Sequence, residues 1–306
     1  MHSFIKFITL SCLLLTSYAP LAKQLAITFD DAPRPDTPYF NSSERNTHLL
    51  NALNKHEVTA MFFITTKHME SGREKRLLEY SQSNQLLANH SHSHHSAYKM
   101  SSTDFIADVA EAHKILQTYK DYHPYFRFPY LHHGDTPQKV ADIRAGLTKL
   151  GLKAGYITIE DSDWYLDSLF QQAVQANMPL QLDSWRDVYI NHILASANFY
   201  QQLAEQHLTQ EVKQVILLHE NDLAALFMDE LIQALNKDGW DIISPLDAYN
   251  DDFAKGYPDT MHNNQGRLAA ALAAKGIAPN SMVLSEQKRD VLQKHLEELG
   301  LVPAGK

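Results

Sequence analysis

Cysteine is nearly absent from this sequence: Cys12 is the only one among 306 residues. Because Cys12 lies in an N-terminal segment that is predicted to be removed on export, the remaining chain would form no disulfide and offer no thiolate ligand. Any metal ion bound by the processed protein would therefore have to be held by histidine and carboxylate side chains.

Clusters of basic residues are missing as well. The formal net charge is −9 at pH 7, and no run of lysine and arginine supplies the positive footprint of a nucleic-acid-binding protein. No internal repeat and no separate carbohydrate-binding module stand out in the sequence. We therefore expect no nucleic-acid partner, and the sequence names no protein partner.

Residues 1–22 are typical of an export signal. A short apolar run, residues 7–15, is followed by the small residues Ser17, Ala19 and Ala22. The run is far too short to span a bilayer, so we predict cleavage after Ala22, no stable membrane insertion afterwards, and a periplasmic or secreted protein. A lipid anchor on Cys12 is the weaker alternative, because no aliphatic residue stands three positions before it.

The rest of the chain is long and apolar enough for a large core, since 44% of all residues are hydrophobic. We predict one main α/β domain over residues 23–250. Beyond it, turn-forming residues give way to two short helical patterns, so residues 251–306 are predicted to form a helical C-terminal extension.

Short apolar segments alternate with helical patterns along the main domain. The segments predicted as strands are residues 24–29, 59–65, 85–88, 125–128, 156–159, 215–218 and 240–244. This alternation predicts a mostly parallel sheet, open or closed into a barrel. Polar residues follow several of these strands, and in a parallel sheet the carboxyl ends of the strands meet at one edge.

Four histidines lie within six residues at residues 90–95. His90 and His94 are four positions apart, so a single helical turn would direct both imidazoles toward one ion. The alternatives are a solvated loop of histidine and serine, or a loose metal-scavenging tract. With Asp31, His90 and His94 would form a ligand set of two histidines and a carboxylate. Asp30, predicted to point the other way on an extended backbone, would be free to act as a base.

Three further residues complete a hydrolytic set. Arg127 could hold a carboxylate ionised, and His219 could protonate a leaving group under the influence of Asp163. Each also has a simpler interpretation: a structural ion pair for Arg127, a core histidine for His219, and a helix cap for Asp163.

In combination, these residues resemble the polysaccharide deacetylases with the nodulation-B homology domain, carbohydrate esterase family 4. Five motifs of that family occur in order: Thr-Phe-Asp-Asp at residues 28–31, His-Ser-His-Ser-His at 90–94, Arg-Phe-Pro-Tyr at 127–130, Glu-Asp-Ser-Asp-Trp at 160–164 and Leu-Leu-His at 217–219.

The resemblance implies a role for each matching residue. It makes Asp30 the general base, oriented by Arg127, and His219 the general acid, tuned by Asp163. It assigns Asp31, His90 and His94 to a divalent metal, zinc first, with cobalt or nickel as alternatives. It gives substrate contacts to Tyr130, Trp164 and Leu217: the Tyr130 backbone N–H to the oxyanion, and the other two to the acyl pocket.

The implied fold is a distorted (β/α) barrel of about seven strands. The implied reaction is hydrolysis of N- or O-acetyl groups on a polysaccharide or oligosaccharide, with attack by metal-bound water. An amidohydrolase of a small N-acyl or cyclic amide substrate is the alternative on the same fold, and a non-catalytic carbohydrate-binding protein is the third hypothesis.

Three positions depart from the family pattern. Ala32 stands where glycine is usual, residues 131–133 replace a glycine after Tyr130, and Glu160 replaces the first aspartate of the fourth motif. We expect these differences to alter the substrate rather than the chemistry.

Overall fold

A long central strand carries the fold. The structure is a computed structural model that describes residues 23–70 and 72–303, so the predicted export signal lies outside the described residues. In the first strand, β1 (Lys23–Ala32), residues 25–30 are buried without interruption. Unbroken burial is expected of a parallel strand that is covered on both faces.

In the described ranges, seven strands form one sheet in which all the pairings are parallel. After β1 the strands are β2 (Met61–Ile64), β3 (Leu86–Asn89), β4 (Tyr122–Phe126), β5 (Lys153–Ala154), β6 (Gln214–His219) and β7 (Trp240–Ile242). The order is β5-β4-β3-β2-β1-β6, and β7 also pairs with β1. The predicted strand count is confirmed.

The chain after β5 connects the two edges of the sheet. The short strand β5 pairs with β4, whereas Ile159 forms an isolated bridge with Ile216 of β6. The prediction of a regular strand over residues 156–159 is therefore wrong, because this segment crosses from one edge strand to the other. The crossing curls the sheet into the distorted (β/α) barrel that was predicted.

Gly155 lies at the start of this crossing and is packed too closely for a side chain. A Cβ there would lie 2.4 Å from Cε1 of Phe63 and 3.2 Å from the carbonyl oxygen of Phe126. We expect Gly155→Ala to lower the free energy of unfolding by about 1–3 kcal/mol. Denaturant unfolding measures this loss.

The cause of that loss can be tested with a second substitution. Phe63→Leu removes the ring that the new methyl group would meet, so the Gly155→Ala loss should be smaller in the Phe63→Leu background. Equal losses in both backgrounds would show that the clash is not the cause.

Helices surround the sheet. They are α1 (Ser42–Lys55), α2 (Lys75–Gln82), α3 (Ser102–Leu116), α4 (Pro137–Lys149), α5 (Asp163–Gln175), α6 (Leu182–His207), α7 (Asp222–Lys237), α8 (Pro245–Tyr249), α9 (Gly266–Ala274) and α10 (Arg289–Glu298). Within the described ranges, none has the length and apolarity that crossing a bilayer requires.

The C-terminal helices share the main core. Leu268 and Leu272 of α9 and Leu292 and Leu296 of α10 are buried in the same apolar cluster as β1 and β6. The predicted helical extension therefore packs on the main domain, while its boundary after residue 250 stays a prediction.

Candidate metal centre and active site

A bulge at the end of β1 sets the direction of the two aspartates. The register between β1 and β2 shifts between Phe29 and Ala32, and Asp31 has a positive φ of 65°. Nε2 of His90 consequently lies 3.6 Å from Oδ2 of Asp30 and 3.8 Å from Oδ1 of Asp31. The prediction that an extended backbone would point the two carboxylates apart is wrong, since both reach the same imidazole.

The histidine cluster forms a loop, so the predicted helical turn is wrong. Ser91 and His94 have positive φ values of 69° and 58°, and the backbone N–H of His94 donates to Oγ of Ser91 at 3.0 Å. This tight turn brings the ring centroids of His90 and His94 to 4.9 Å. The loop therefore brings the two imidazoles together, as the helical turn was predicted to do.

Asp31, His90 and His94 each offer one ligand atom, and the three atoms lie within 4.8 Å of one another. Nε2 of His94 is 3.0 Å from Oδ1 of Asp31. That oxygen is buried and has no well-aligned hydrogen-bond donor among the described residues. A buried carboxylate oxygen that is left open beside two imidazoles fits the donor set of a divalent transition metal.

The protonation states of this set also fit a cation. Burial lowers the pKa of His90 to about 4, against the opposing charge of Asp30. Burial by itself would raise the pKa of Asp31, but the nearby imidazoles, His94 above all, hold it well below its ordinary value. Nδ1–H of His90 donates to the carbonyl oxygen of Arg127 at 2.9 Å, which turns Nε2 toward the carboxylates. Both groups are thus in the deprotonated form that metal ligands require.

Arg127 is buried behind Asp30 and has partners for its donors. Its Nη1 donates to Oδ1 of Asp30 at 2.6 Å and to Oγ1 of Thr28 at 2.9 Å. Nε donates to the carbonyl oxygen of Gly155 at 2.8 Å, and Nη2 to the hydroxyl of Tyr249 at 3.0 Å. The arginine is therefore fixed by three other segments, and it fixes one oxygen of Asp30 in turn.

His219 and Asp163 form a second charged pair in the same site. Nδ1–H of His219 donates to Oδ1 of Asp163 at 2.7 Å. The other oxygen, Oδ2, accepts the backbone N–H of His219 and an amide N–H of Asn221, both at 2.8 Å. Burial would lower the pKa of His219, but the charge of Asp163 raises it to about 9. The interpretation of Asp163 as a helix cap is wrong, because its carboxylate binds His219.

One open cleft of about 690 Å³ contains most of these groups. The residues predicted for the site that line it are Asp30, Asp31, His90, His94, Tyr130, Trp164, Leu217 and His219. Arg127 and Asp163 are buried behind this surface. Tyr130 is exposed, with its ring centroid 4.8 Å from that of His94, whereas Leu217 is buried. The structure thus brings together all ten residues that the motifs selected.

The family model of the polysaccharide deacetylases matches residues 18–154. Over these residues the chain is similar to the polysaccharide deacetylase family. The resemblance recognised from the motifs is confirmed, although the match ends before Asp163 and His219. For those two residues the geometry of the cleft is the supporting observation.

Solved structures of polysaccharide deacetylases share the fold. The peptidoglycan deacetylase PdaC from Bacillus subtilis is 18% identical with a TM-score of 0.52, covering 76% of this chain and 92% of that one. A CE4 family pseudoenzyme from Bacillus anthracis is 16% identical with a TM-score of 0.52, covering 75% and 66% of the two chains.

A third solved structure is the Xyl-CE4 domain of a multidomain xylanase from the hindgut metagenome of Trinervitermes trinervoides. It is 17% identical with a TM-score of 0.52, and the alignment covers 75% of this chain and 90% of that one. None of the curated proteins matches the sequence.

The departures from the polysaccharide deacetylase pattern have local explanations. Ala32 is tolerated in place of glycine because the positive φ falls on Asp31 instead. Leu131, itself at φ 54°, is buried against Ile157 and Leu217 beside the cleft. Glu160 lines the cleft as well, and burial raises the pKa of its carboxyl group.

Three polar residues that support the site were not found from the sequence. Nδ1–H of His68 donates to the carbonyl oxygen of Asp31 at 3.0 Å, across the bulge. The carboxylate of Asp108 accepts the backbone N–H groups of the loop at residues 92–93, each at 3.2 Å. Asn221 caps α7 and also binds Asp163. Only Asn221 gave a sequence signal, as an N-cap residue before a helical pattern.

Proposed function

We propose that this chain is a hydrolase that removes N- or O-acetyl groups from a polysaccharide or oligosaccharide. The observation that carries the proposal is that one cleft contains both a group that can accept a proton and a group that can donate one. Asp30 offers a carboxylate, and His219, with its pKa near 9, offers a proton at neutral pH. Asp31, His90 and His94 lie in the same cleft.

The donor set suggests which cofactor the protein needs. Asp31, His90 and His94 would hold a divalent cation, zinc first, with cobalt or nickel as alternatives. When bound, such an ion lowers the pKa of water and polarises an acyl oxygen. The His90 tautomer fixed by the carbonyl of Arg127 keeps one ligand in position.

The side chains of the cleft then divide the remaining work. Asp30, held by Arg127, accepts the proton of the attacking water. The backbone N–H of Tyr130 donates to the oxygen of the acyl group as it becomes negative. His219 gives its proton to the departing nitrogen or oxygen. Trp164 and Leu217 line the cleft and contact the acetyl methyl group.

Acetate release across a panel of substrates tests this function. The zinc-supplied protein should release acetate from at least one of acetylated chitooligosaccharide, peptidoglycan and acetylated xylan. Peptidoglycan and xylan are included because two structurally similar proteins are a peptidoglycan deacetylase and a domain of a xylanase. Release from none of them, together with turnover of a cyclic imide or another small N-acyl amide, would favour the amidohydrolase instead.

A non-catalytic carbohydrate-binding protein is the other rival, since one similar structure is a pseudoenzyme. The presence of both Asp30 and His219 with their partners argues against it. Glycan binding without acetate release would favour it. The predicted export signal suggests that the substrate is met in the periplasm or outside the cell.

The pH dependence of the reaction should report on His219. The general acid must be protonated, so kcat/KM is expected to fall as the pH rises through about 9. Asp163→Asn removes the charge that raises the pKa of His219, so the alkaline limb should move roughly 1–3 pH units lower. The measurement is kcat/KM for acetate release between pH 6 and pH 10. An alkaline limb that stays at the same pH in Asp163→Asn would contradict this role of His219.

A further inference from the structure

The C-terminal segment places a cation at the mouth of the cleft. Arg289 is the first residue of α10, and its guanidinium lies 4.7 Å from the ring centroid of Trp164 and 5.8 Å from that of Tyr165. It lines the cleft that also contains Asp30 and His219. Residues outside the five motifs therefore contribute to the surface that a substrate would meet.

The charge of Arg289 has no carboxylate partner in the described part of the chain. Among the described residues, its guanidinium contacts the two aromatic rings and forms no salt bridge or side-chain hydrogen bond. Lys294, on the same helix, is by contrast 3.8 Å from the carboxylate of Glu298. The contact with the face of Trp164 leaves the N–H groups of the guanidinium free to donate to a ligand.

A second incompletely paired cation lines the same cleft. Nη1 of Arg34 is buried without a hydrogen-bond partner among the described residues, and its nearest carboxylate oxygen, Oδ2 of Asp167, is 3.9 Å away. The carboxylate of Asp30 is already bound to Arg127. Arg34 and Arg289 thus both line the cleft, and the proposed acetyl chemistry uses neither of them.

We propose that the cleft selects an acetylated glycan that carries a carboxylate near the acetyl group, and that Arg289 recognises this carboxylate with Arg34 as a second contact. This inference rests on the proposed function and names its substrate class. A planar guanidinium binds a carboxylate through two parallel hydrogen bonds, which a neutral sugar cannot supply. The carboxylate can belong to a lactyl ether on the sugar or to a uronic acid ring.

Matched oligosaccharides test this selectivity. The substrates are a tetramer of N-acetylglucosamine, the same tetramer with a lactyl ether carboxylate on alternate residues, and an O-acetylated tetramer of uronic acid. Wild type should show a higher kcat/KM for one carboxylate-bearing tetramer than for the neutral one. Arg289→Gln should lower that preference roughly tenfold, mainly through KM. Arg289→Lys should recover part of it, and Lys294→Gln should leave it unchanged.

Which of the two carboxylate tetramers is preferred identifies the source of the charge, and either preference supports the inference. No preference for either over the neutral tetramer would overturn it. A preference that Arg289→Gln leaves unchanged would overturn it as well, since Arg289 would then only support Trp164.

Binding measurements separate this inference from the proposed function. Calorimetric titration of the three tetramers into Asp30→Asn, with and without Arg289→Gln, reports recognition without turnover. If wild type releases no acetate from any tetramer, the proposed hydrolysis fails for these substrates. The inference still stands if a carboxylate tetramer binds more tightly than the neutral one and loses that advantage in Arg289→Gln. Equal binding of all three tetramers overturns it.

Discussion

Replacing Asp30 with asparagine should lower kcat for acetate release by about 10³-fold, within the range that a positioned general base contributes. Asparagine has nearly the same shape as aspartate, but it cannot accept a proton at neutral pH. The loss should therefore appear in kcat, with a smaller effect on KM, because Asp30 acts on the attacking water rather than on the sugar. Initial rates at saturating substrate measure it.

The same substitution has a structural cost that has to be separated from catalysis. Arg127 is buried and donates to Oδ1 of Asp30 at 2.6 Å, so Asp30→Asn weakens a charged hydrogen bond by about 1.5–3 kcal/mol. Denaturant unfolding should reveal this loss while circular dichroism shows a folded protein. A folded Asp30→Asn variant with kcat within tenfold of wild type would contradict the assignment of Asp30 as the base.

Replacing His94 with alanine should remove both the bound metal and the activity. The proposed site has only three protein ligands, so losing one leaves His90 and Asp31 to hold the ion. We expect zinc affinity to fall by at least about 100-fold and acetate release at stoichiometric zinc to fall by a similar or larger factor. Metal content after dialysis and acetate release on the same samples measure both effects.

The neighbouring histidine provides a matched control for this variant. His95 is exposed and belongs to the same loop, and Nδ1 of its ring is 2.7 Å from Oγ of Ser93. His95→Ala should therefore keep the metal and the activity of wild type. Equal metal loss in the His94 and His95 variants would indicate a loose histidine tract instead of a defined site.

The sequence predicted the sheet and the identity of the site residues because both depend on local patterns. Apolar segments at the right spacing predicted the strands, although the strand at residues 156–159 was wrong. The polar residues after these strands, such as Asp31, His90 and His219, could be identified because parallel strands bring their carboxyl ends to one edge. The directions of the side chains could not be predicted in this way.

The errors concern features that depend on distant contacts. The bulge at Asp31 depends on the register between β1 and β2, and the loop at His94 is held by the carboxylate of Asp108. His68 reaches Asp31 from a separate segment. None of these contacts leaves a periodic signal in the sequence, since each is made between segments that only the folded chain brings together.

The position of Arg289 also depends on contacts between segments that are distant in the sequence. Its helix is part of the predicted helical extension, and Leu292 and Leu296 of that helix lie in the core. That this packing would set the first residue of the helix over Trp164 depends on how α10 sits against α5. The C-terminal segment could thus be predicted as a helical extension but not as part of the cleft.

We expect acetate release to depend on a single divalent ion held by Asp31, His90 and His94. Titrating zinc into the chelator-treated protein, while acetate release is measured on a responsive substrate, tests it most directly. The rate should rise from near zero in proportion to added zinc and level off at about one ion per chain. Full acetate release by the metal-free protein, with no increase on adding zinc, would show that the reaction does not use a metal ion at this site.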